Sequence, residues 1–185
     1  VNPANGDVYT ATLAGIFRSQ NGGTTWTKVL GAGVGAATDD GADLEIDANN
    51  NIWATLGVFS TDGVYKSATG NANSWTQKNT GGNGFPTTNI QRIEIACAPS
   101  DSNYAYALVQ GSGNGISHIY KTQNGGTTWT TQTNPTDADG GIGTDFTRGQ
   151  AWYDLAIAVD PNQRNILIIG GIVFYTLLHH FNFVK

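Results

Sequence analysis

The side chains able to do chemistry in this sequence are carboxylates and aromatic rings carried in Gly- and Asp-rich stretches. One group is Asp145, Phe146 and Arg148, followed at once by Trp152, Tyr153 and Asp154; Phe59 with Asp62, Phe85, and the pair Asp137 and Asp139 lie elsewhere in similar surroundings. An aromatic face stacks on the apolar C–H face of a sugar ring while neighbouring carboxylates accept its hydroxyl protons. Asp145, Arg148, Trp152, Tyr153, Asp154, Phe59, Asp62 and Phe85 are therefore the candidate ligand-binding residues. The plainer reading of the same residues is that the loops are soluble turns and that Trp152 and Tyr153 pack inside a sheet.

Other chemistries find less support. Asp39-Asp40-Gly41-Ala42-Asp43 offers oxygen ligands that could hold Ca2+, but without the ordered spacing of a calcium loop, and no cofactor is expected. His179-His180 has no third ligand nearby in the sequence, so no metal site is assigned. Cys97, the single cysteine, sits within Ile93-Glu94-Ile95-Ala96-Cys97-Ala98 and reads as a buried thiol rather than a nucleophile. A net charge of −5 and the absence of any basic run exclude the electrostatic footprint of a nucleic-acid binder. No phosphate loop, nucleophile elbow or zinc pattern occurs, and nothing singles out a catalytic pair. The apolar run 166–178 contains two glycines and is too short to span a membrane.

These residues need elements to position them. Charged residues make up 12% of the chain and glycine 25 of its 185 positions, a composition of short strands and turns rather than helices. Arg18-Ser19-Gln20-Asn21-Gly22-Gly23-Thr24-Thr25-Trp26 returns almost unchanged as Lys121-Thr122-Gln123-Asn124-Gly125-Gly126-Thr127-Thr128-Trp129, with a degenerate copy between them at Lys66 to Trp75. The tryptophans recur about 50 residues apart, near the period of one four-stranded propeller blade. A second phrase keeps the same period: Val1-Asn2-Pro3-Ala4-Asn5-Gly6-Asp7-Val8 aligns on 159–166, 97–104 and, with one deletion, 46–52.

Reading each turn with its flanking apolar runs predicts four strands per unit, A to D. Strand A is predicted at 44–47, 90–98 and 152–160, strand B at 8–13, 52–56, 104–110 and 166–172. Strand C is predicted at 15–19, 64–67 and 116–122, and strand D at 25–30, 74–78 and 128–132. The expected fold is all-β, a β-propeller fragment of about three four-stranded antiparallel blades at about 1–43, 44–89 and 90–150, with a partial blade at 151–172. Residues 173–185 lack the Gly, Asn and Thr of the rest and read as the product of truncation or frameshift. Such a partial ring implies remaining blades in a parent protein. The chain has no methionine, so residue 1 is not expected to be a translational start, processing or truncation having removed the beginning.

Because strands alternate in direction, the A–B and C–D turns share one rim of the blades. The opposite rim is formed by 30–43, 57–63, 80–89, 111–115 and 133–150, where most of the candidate ligand-binding residues fall; Trp152, Tyr153 and Asp154 enter strand A from that end.

The repeated turns carry a family resemblance. Ser19, Asn21, Gly23, Thr25 and Trp26, and again Thr122, Asn124, Gly126, Thr128 and Trp129, resemble the Asp-box, or BNR repeat, with Asn where that family usually has Asp. The resemblance implies a propeller whose boxes are structural staples rather than catalytic residues. Gly149-Gln150-Ala151-Trp152-Tyr153-Asp154-Leu155-Ala156-Ile157-Ala158-Val159-Asp160-Pro161 is similar to sortilin- and xyloglucanase-like propeller segments of secreted or surface proteins from Bacteroidetes-type bacteria. It implies an extracellular or cell-surface bacterial scaffold that binds polysaccharide or protein ligands and is non-catalytic by itself. The alternative is part of a xyloglucanase- or sialidase-like glycoside hydrolase with catalytic residues partly outside this chain. A sialidase needs an arginine cluster, and of Arg18, Arg92, Arg148 and Arg164 only Arg92 and Arg148 fall towards the ligand rim.

Overall fold

The computed structural model describes residues 1–31, 40–135 and 145–171, and the backbone of Phe174–Leu178 and Phe183–Val184. Four antiparallel sheets follow one another along the chain, and no helix occurs among the described residues. The first contains β1 (Val8–Thr12), β2 (Gly15–Ser19) and β3 (Thr27–Leu30). The second contains β4 (Gly41–Ile46), β5 (Ile52–Leu56), β6 (Val64–Ser67) and β7 (Thr76–Gln77). The third contains β8 (Ile93–Cys97), β9 (Ala105–Gln110), β10 (Ile116–Thr122) and β11 (Thr130–Gln132). The fourth contains β12 (Ala156–Val159), β13 (Ile166–Gly170), β14 (Phe174–Leu178) and β15 (Phe183–Val184). Each sheet is a meander of sequential neighbours, the blade topology of a propeller.

The register repeats with the sequence. Val8 pairs with Ser19, Ile52 with Ser67 and Ala105 with Thr122, so each repeated turn begins from the same place. In the fourth sheet the backbone of the chain's tail takes the third and fourth strand positions, and Leu177 stands opposite Leu167 where the other sheets place a hydroxyl residue.

The two full turns are closed by their own side chains. Ser19 Oγ accepts from the Gly23 amide at 2.8 Å and Asn21 Oδ1 from the Thr25 amide at 2.9 Å. Thr122 and Asn124 make the same bonds to Gly126 and Thr128, each at 2.9 Å. In both turns the two consecutive glycines adopt positive φ, which a side chain would resist. The degenerate turn keeps one such bond, Ser67 Oγ to the Gly70 amide at 2.8 Å.

A cation near the end of β2 in sheet one and of β6 in sheet two ties each of these sheets to its preceding A–B turn. Arg18 pairs with Asp7, and Lys66 meets Asp47 at 2.9 Å. Asp47 also accepts from Trp53 Nε1 and Asn51. Burial pushes the Asp47 carboxyl up, but Lys66, Asn51 and Trp53 together outweigh it and hold it below the usual aspartate value.

The core lies between the sheets rather than within one of them. Ile16, Ala54 and Leu56 join sheets one and two; Trp53, Phe85, Ile95 and Trp129 join two and three; Leu108, Leu155 and Ile169 join three and four. Each sheet is thus stabilised by burying a face against the next, as expected for stacked blades.

Candidate functional site

β4, β8 and β12 neighbour one another in turn, with β1 beside β4, so they form the inner wall of the arc of sheets. Along a strand successive side chains alternate in direction. Leu44 and Ile46 alternate with Asp43 and Glu45 on β4, and Ile93 and Ile95 flank Glu94 on β8. Leu44, Ile93 and Ile95 enter the inter-sheet cores, leaving three carboxyls on the partly exposed inner wall.

These carboxyls are organised. Asp43 accepts from the Ile95 amide of the next sheet at 2.8 Å and from the Leu44 amide at 2.7 Å. Glu94 lies within hydrogen-bonding reach of Asp43, and its Oε1 alone takes both contacts from Arg92, at 2.6 Å from Nε and 2.5 Å from Nη2. Burial and the neighbouring Asp43 push the Glu94 carboxyl up to about 8, even though Arg92 pulls the other way. Glu45 rises to about 7, through burial first and Asp43 second. Near neutrality the inner wall therefore holds protonated carboxyls that can donate as well as accept hydrogen bonds.

Arg92 connects this wall to the aromatic residues. Its Nη1 donates to the Trp152 carbonyl at 3.3 Å. Trp152 and Tyr153 stand 41% and 48% exposed, their rings edge to face at 4.2 Å. Asp154 follows, with both carboxylate oxygens enclosed and no hydrogen-bond partner among the described residues. Burial raises its pKa, Asp145 adds to the rise, and Arg92 offsets part of it.

The structure corrects the strand predicted at 152–160, which begins instead at Ala156. Hydrogen bonds from the Tyr153 and Asp154 amides to the Gln150 carbonyl wind this segment into a turn, which carries Trp152 and Tyr153 out of the sheet. They are not blade core. Phe85 goes the other way: it is 4% exposed and packs on Tyr120 and Trp129 with ring centroids at 4.7 and 5.0 Å, leaving no face for a ligand.

Asp145 closes its own turn, accepting from the Thr147 amide and hydroxyl and from the Gly149 amide at 3.0, 2.7 and 3.1 Å. The same turn holds Arg148 at φ 51°. Asp145 also borders an open cleft of 410 Å³ against Asn89 and the β9–β10 connection. Phe59 is 63% exposed on the β5–β6 connection, where Asp62 takes the Tyr65 hydroxyl at 2.6 Å. The structure thus brings Trp152, Tyr153, Asp154 and Arg92 together, and Phe59 and Asp62 belong to a separate loop. Asp39, Asp137 and Asp139 lie outside the described residues. Among the described residues no group of three potential metal ligands occurs and no helix is long and apolar enough to cross a membrane.

Glu45 and Glu94 were absent from the sequence-based candidates. Their signal is a glutamate placed between two apolar residues on an inner strand, in Leu44-Glu45-Ile46 and Ile93-Glu94-Ile95.

No family model matches the chain, and no curated protein matches it. Solved structures do. The GH74 xyloglucanase from Xanthomonas campestris superposes with a TM-score of 0.62 at 18% identity, over 100% of this chain and 29% of that one. An ancestral GH74 enzyme gives 0.61 at 21% identity, over 95% of this chain and 22% of its own. YCF48 bound to D1 peptide gives 0.50 at 14% identity, over 97% of this chain and 49% of that one. The chain therefore spans less than a third of either GH74 structure, and what it shares with all three is the fold. It is an all-β chain with the architecture of part of a β-propeller.

Proposed function

We propose that this chain is part of an Asp-box propeller of an extracellular or cell-surface bacterial protein, and that it binds polysaccharide through the inner-wall rim at Trp152 and Tyr153. The observation that carries the reading is the exposed, ring-packed Trp152–Tyr153 pair joined by Arg92 to Glu94 and Asp43. Solvent-facing rings supply a stacking platform, and the adjoining carboxyls and guanidinium supply donors and acceptors for hydroxyl groups. Likeness in fold to a xyloglucanase makes β-glucans the first substrates to try. Calorimetric titration of the chain with xyloglucan and mixed-linkage β-glucan oligosaccharides should show binding that the W152A/Y153A double variant lowers about tenfold or more without loss of folding. Equal affinity of variant and parent, or no binding by either, refutes the reading.

Glycoside hydrolysis is the second reading, favoured by the protonated Glu94 as a general acid beside Asp43. Against it, the two carboxyls are close enough to share a hydrogen bond. Retaining enzymes keep theirs about 5–5.5 Å apart and inverting enzymes farther. Reducing-sugar release that disappears in E94Q would establish this alternative over simple binding.

A further inference from the structure

Sheet three departs from the repeat at one place. The β1–β2, β5–β6 and β13–β14 pairings run without a break, whereas β9–β10 carries a bulge between Ile116 and His118. The bulge leaves Ser117 without a partner across the ladder, and the Asn134 side-chain amide donates to its carbonyl at 2.9 Å. Bulges of this kind re-aim a side chain beside a site. Here Ser117 borders the open cleft of 410 Å³ that Asn89 and Asp145 complete. That volume falls in the range of small-ligand sites, about 300–1,000 Å³.

One wall of the cleft is the 111–115 connection, closed by the Gly111 amide, which donates to the Gly115 carbonyl at 3.0 Å. A Cβ at Gly115 would stand 2.5 Å from Asp145 Oδ2, so only glycine lets the carboxylate come this close. That oxygen accepts one bond, from the Gly149 amide, while Oδ1 takes the Thr147 amide and hydroxyl. Oδ2 therefore keeps acceptor capacity for an incoming donor. The Asn89 amide and the Ser112 hydroxyl are exposed and make no hydrogen bond among the described residues. Among the described residues of the lining, Asp145 is the single acid, no side chain is basic, and Ile116 supplies an apolar patch.

The cleft and the exposed rings are two ends of one segment. From Asp145 the chain winds through successive turns, with the Arg148, Gln150 and Tyr153 amides donating to the Asp145, Thr147 and Gln150 carbonyls. The Ala151 amide docks this segment on the Asn114 carbonyl of the cleft wall at 2.9 Å. The wall of the cleft thus carries the turn that presents Trp152 and Tyr153.

We propose, resting on the reading of that pair as a stacking platform, that the cleft is a second subsite, which takes an uncharged sugar unit of the same polysaccharide chain. A sugar hydroxyl donates to Asp145 Oδ2, others exchange hydrogen bonds with Asn89, Ser112 and Ser117, and Ile116 meets a C–H face. A sugar carboxylate would face Asp145 with no cation in the lining to offset it, so uronates and sialosides are disfavoured.

Calorimetric titration of the intact chain with a β-glucan disaccharide, the hexasaccharide, and the hexasaccharide oxidised at C6 to its uronate tests this. Joining two subsites should place the neutral hexasaccharide about tenfold or more above the disaccharide in affinity. The uronate should bind about tenfold or more below the neutral hexasaccharide. Gly113 has open space where a Cβ would stand and lies outside the left-handed region, so Gly113→Phe fills the cleft without backbone strain and should remove most of the length advantage. Asn89, at φ 55°, accepts glycine, and N89G/S112A deletes two cleft groups without breaking a bond of the fold; it should act in the same direction. W152A/Y153A should weaken both neutral ligands. Circular dichroism melts check folding, and N89G/S112A carries the test where the phenylalanine disturbs the sheet. A length advantage kept by the cleft variants, or a uronate bound as tightly as the neutral hexasaccharide, overturns the subsite and leaves the platform intact. Neutral ligands indifferent to W152A/Y153A remove the platform, and with it the shared chain proposed here; a parent that binds neither glucan removes both.

Discussion

Glu94 gives the sharpest test of the inner wall, because its ionisation is penalised by the fold. Its side chain is 12% exposed, and its carboxyl titrates at about 8 instead of the ordinary 4.5. Between those values the folded chain holds a proton that the unfolded chain has released. Stability must therefore fall as pH rises through this window, and it is unaffected below the lower value. At about 1.4 kcal/mol for each tenfold change in proton affinity, the largest loss is about 5 kcal/mol. Because real proteins moderate such burial penalties and Glu94 stays partly exposed beside Arg92, a loss of about 2–4 kcal/mol between pH 5 and pH 9 is the expected magnitude. Glu45, raised to about 7, acts in the same sense. Urea unfolding followed by tryptophan fluorescence at several pH values measures the slope. Glu94→Gln keeps the shape and removes the titration, so its stability should decline less with pH than that of the parent, and E45Q/E94Q should be flatter still. A parent whose stability rises from pH 5 to pH 9, or a Glu94→Gln chain with an unchanged slope, refutes the assignment of a protonated inner wall.

Three further outcomes follow from the packing and the turns. Asp47→Ala leaves Lys66, Trp53 Nε1 and Asn51 without their shared acceptor and should cost about 3–5 kcal/mol in chemical denaturation at pH 7. Since the folded Asp47 carboxyl titrates below its ordinary 3.8, its contribution is complete above that value and is lost as pH falls through the folded pKa; the Asp47→Ala penalty should shrink on acidification. Trp129→Ala removes a ring packed between sheets two and three and should cost about 3–5 kcal/mol, whereas Trp26→Ala should cost the isolated chain less than about 1 kcal/mol; thermal melts of the two variants side by side check the contrast. Gly126→Ala places a Cβ at φ +83° and 3.0 Å from Lys78 Cγ, so it should destabilise by about 1–2 kcal/mol, as compared by urea midpoints.

Much of the fold was legible because its signals are local. β2, β5, β6 and β10 occupy the predicted 15–19, 52–56, 64–67 and 116–122. Their limits are set by adjacent Gly, Asn, Asp and hydroxyl residues whose side chains bond to backbone only a few positions away. The last strands of the first three sheets are shorter than predicted, as at Thr76–Gln77 against 74–78, because an edge strand has a single neighbour to extend its ladder. The site was less legible. Trp152 and Tyr153 continue an apolar alternation into β12, and only the hydrogen bonds to the Gln150 carbonyl exclude them from it. Glu94 looks in sequence like an ordinary outward residue of a strand; its raised pKa comes first from burial and then from Asp43, about fifty positions away.

By itself the sequence determined the period, the four-strand unit and the two near-identical turns, since each rests on alternation and on side chains that bond within their own turn. Tertiary structure alone decided what those turns do. Trp26 and Trp129 end almost the same nonapeptide, yet one is 42% exposed and the other 4%. No feature within either turn separates them. The difference is the face of a preceding sheet, with Trp53 and the Lys78 carbonyl, which packs against Trp129. Burial is a property of a residue and its neighbours in space, so one local motif serves as a core staple in sheet three and as an exposed face in sheet one.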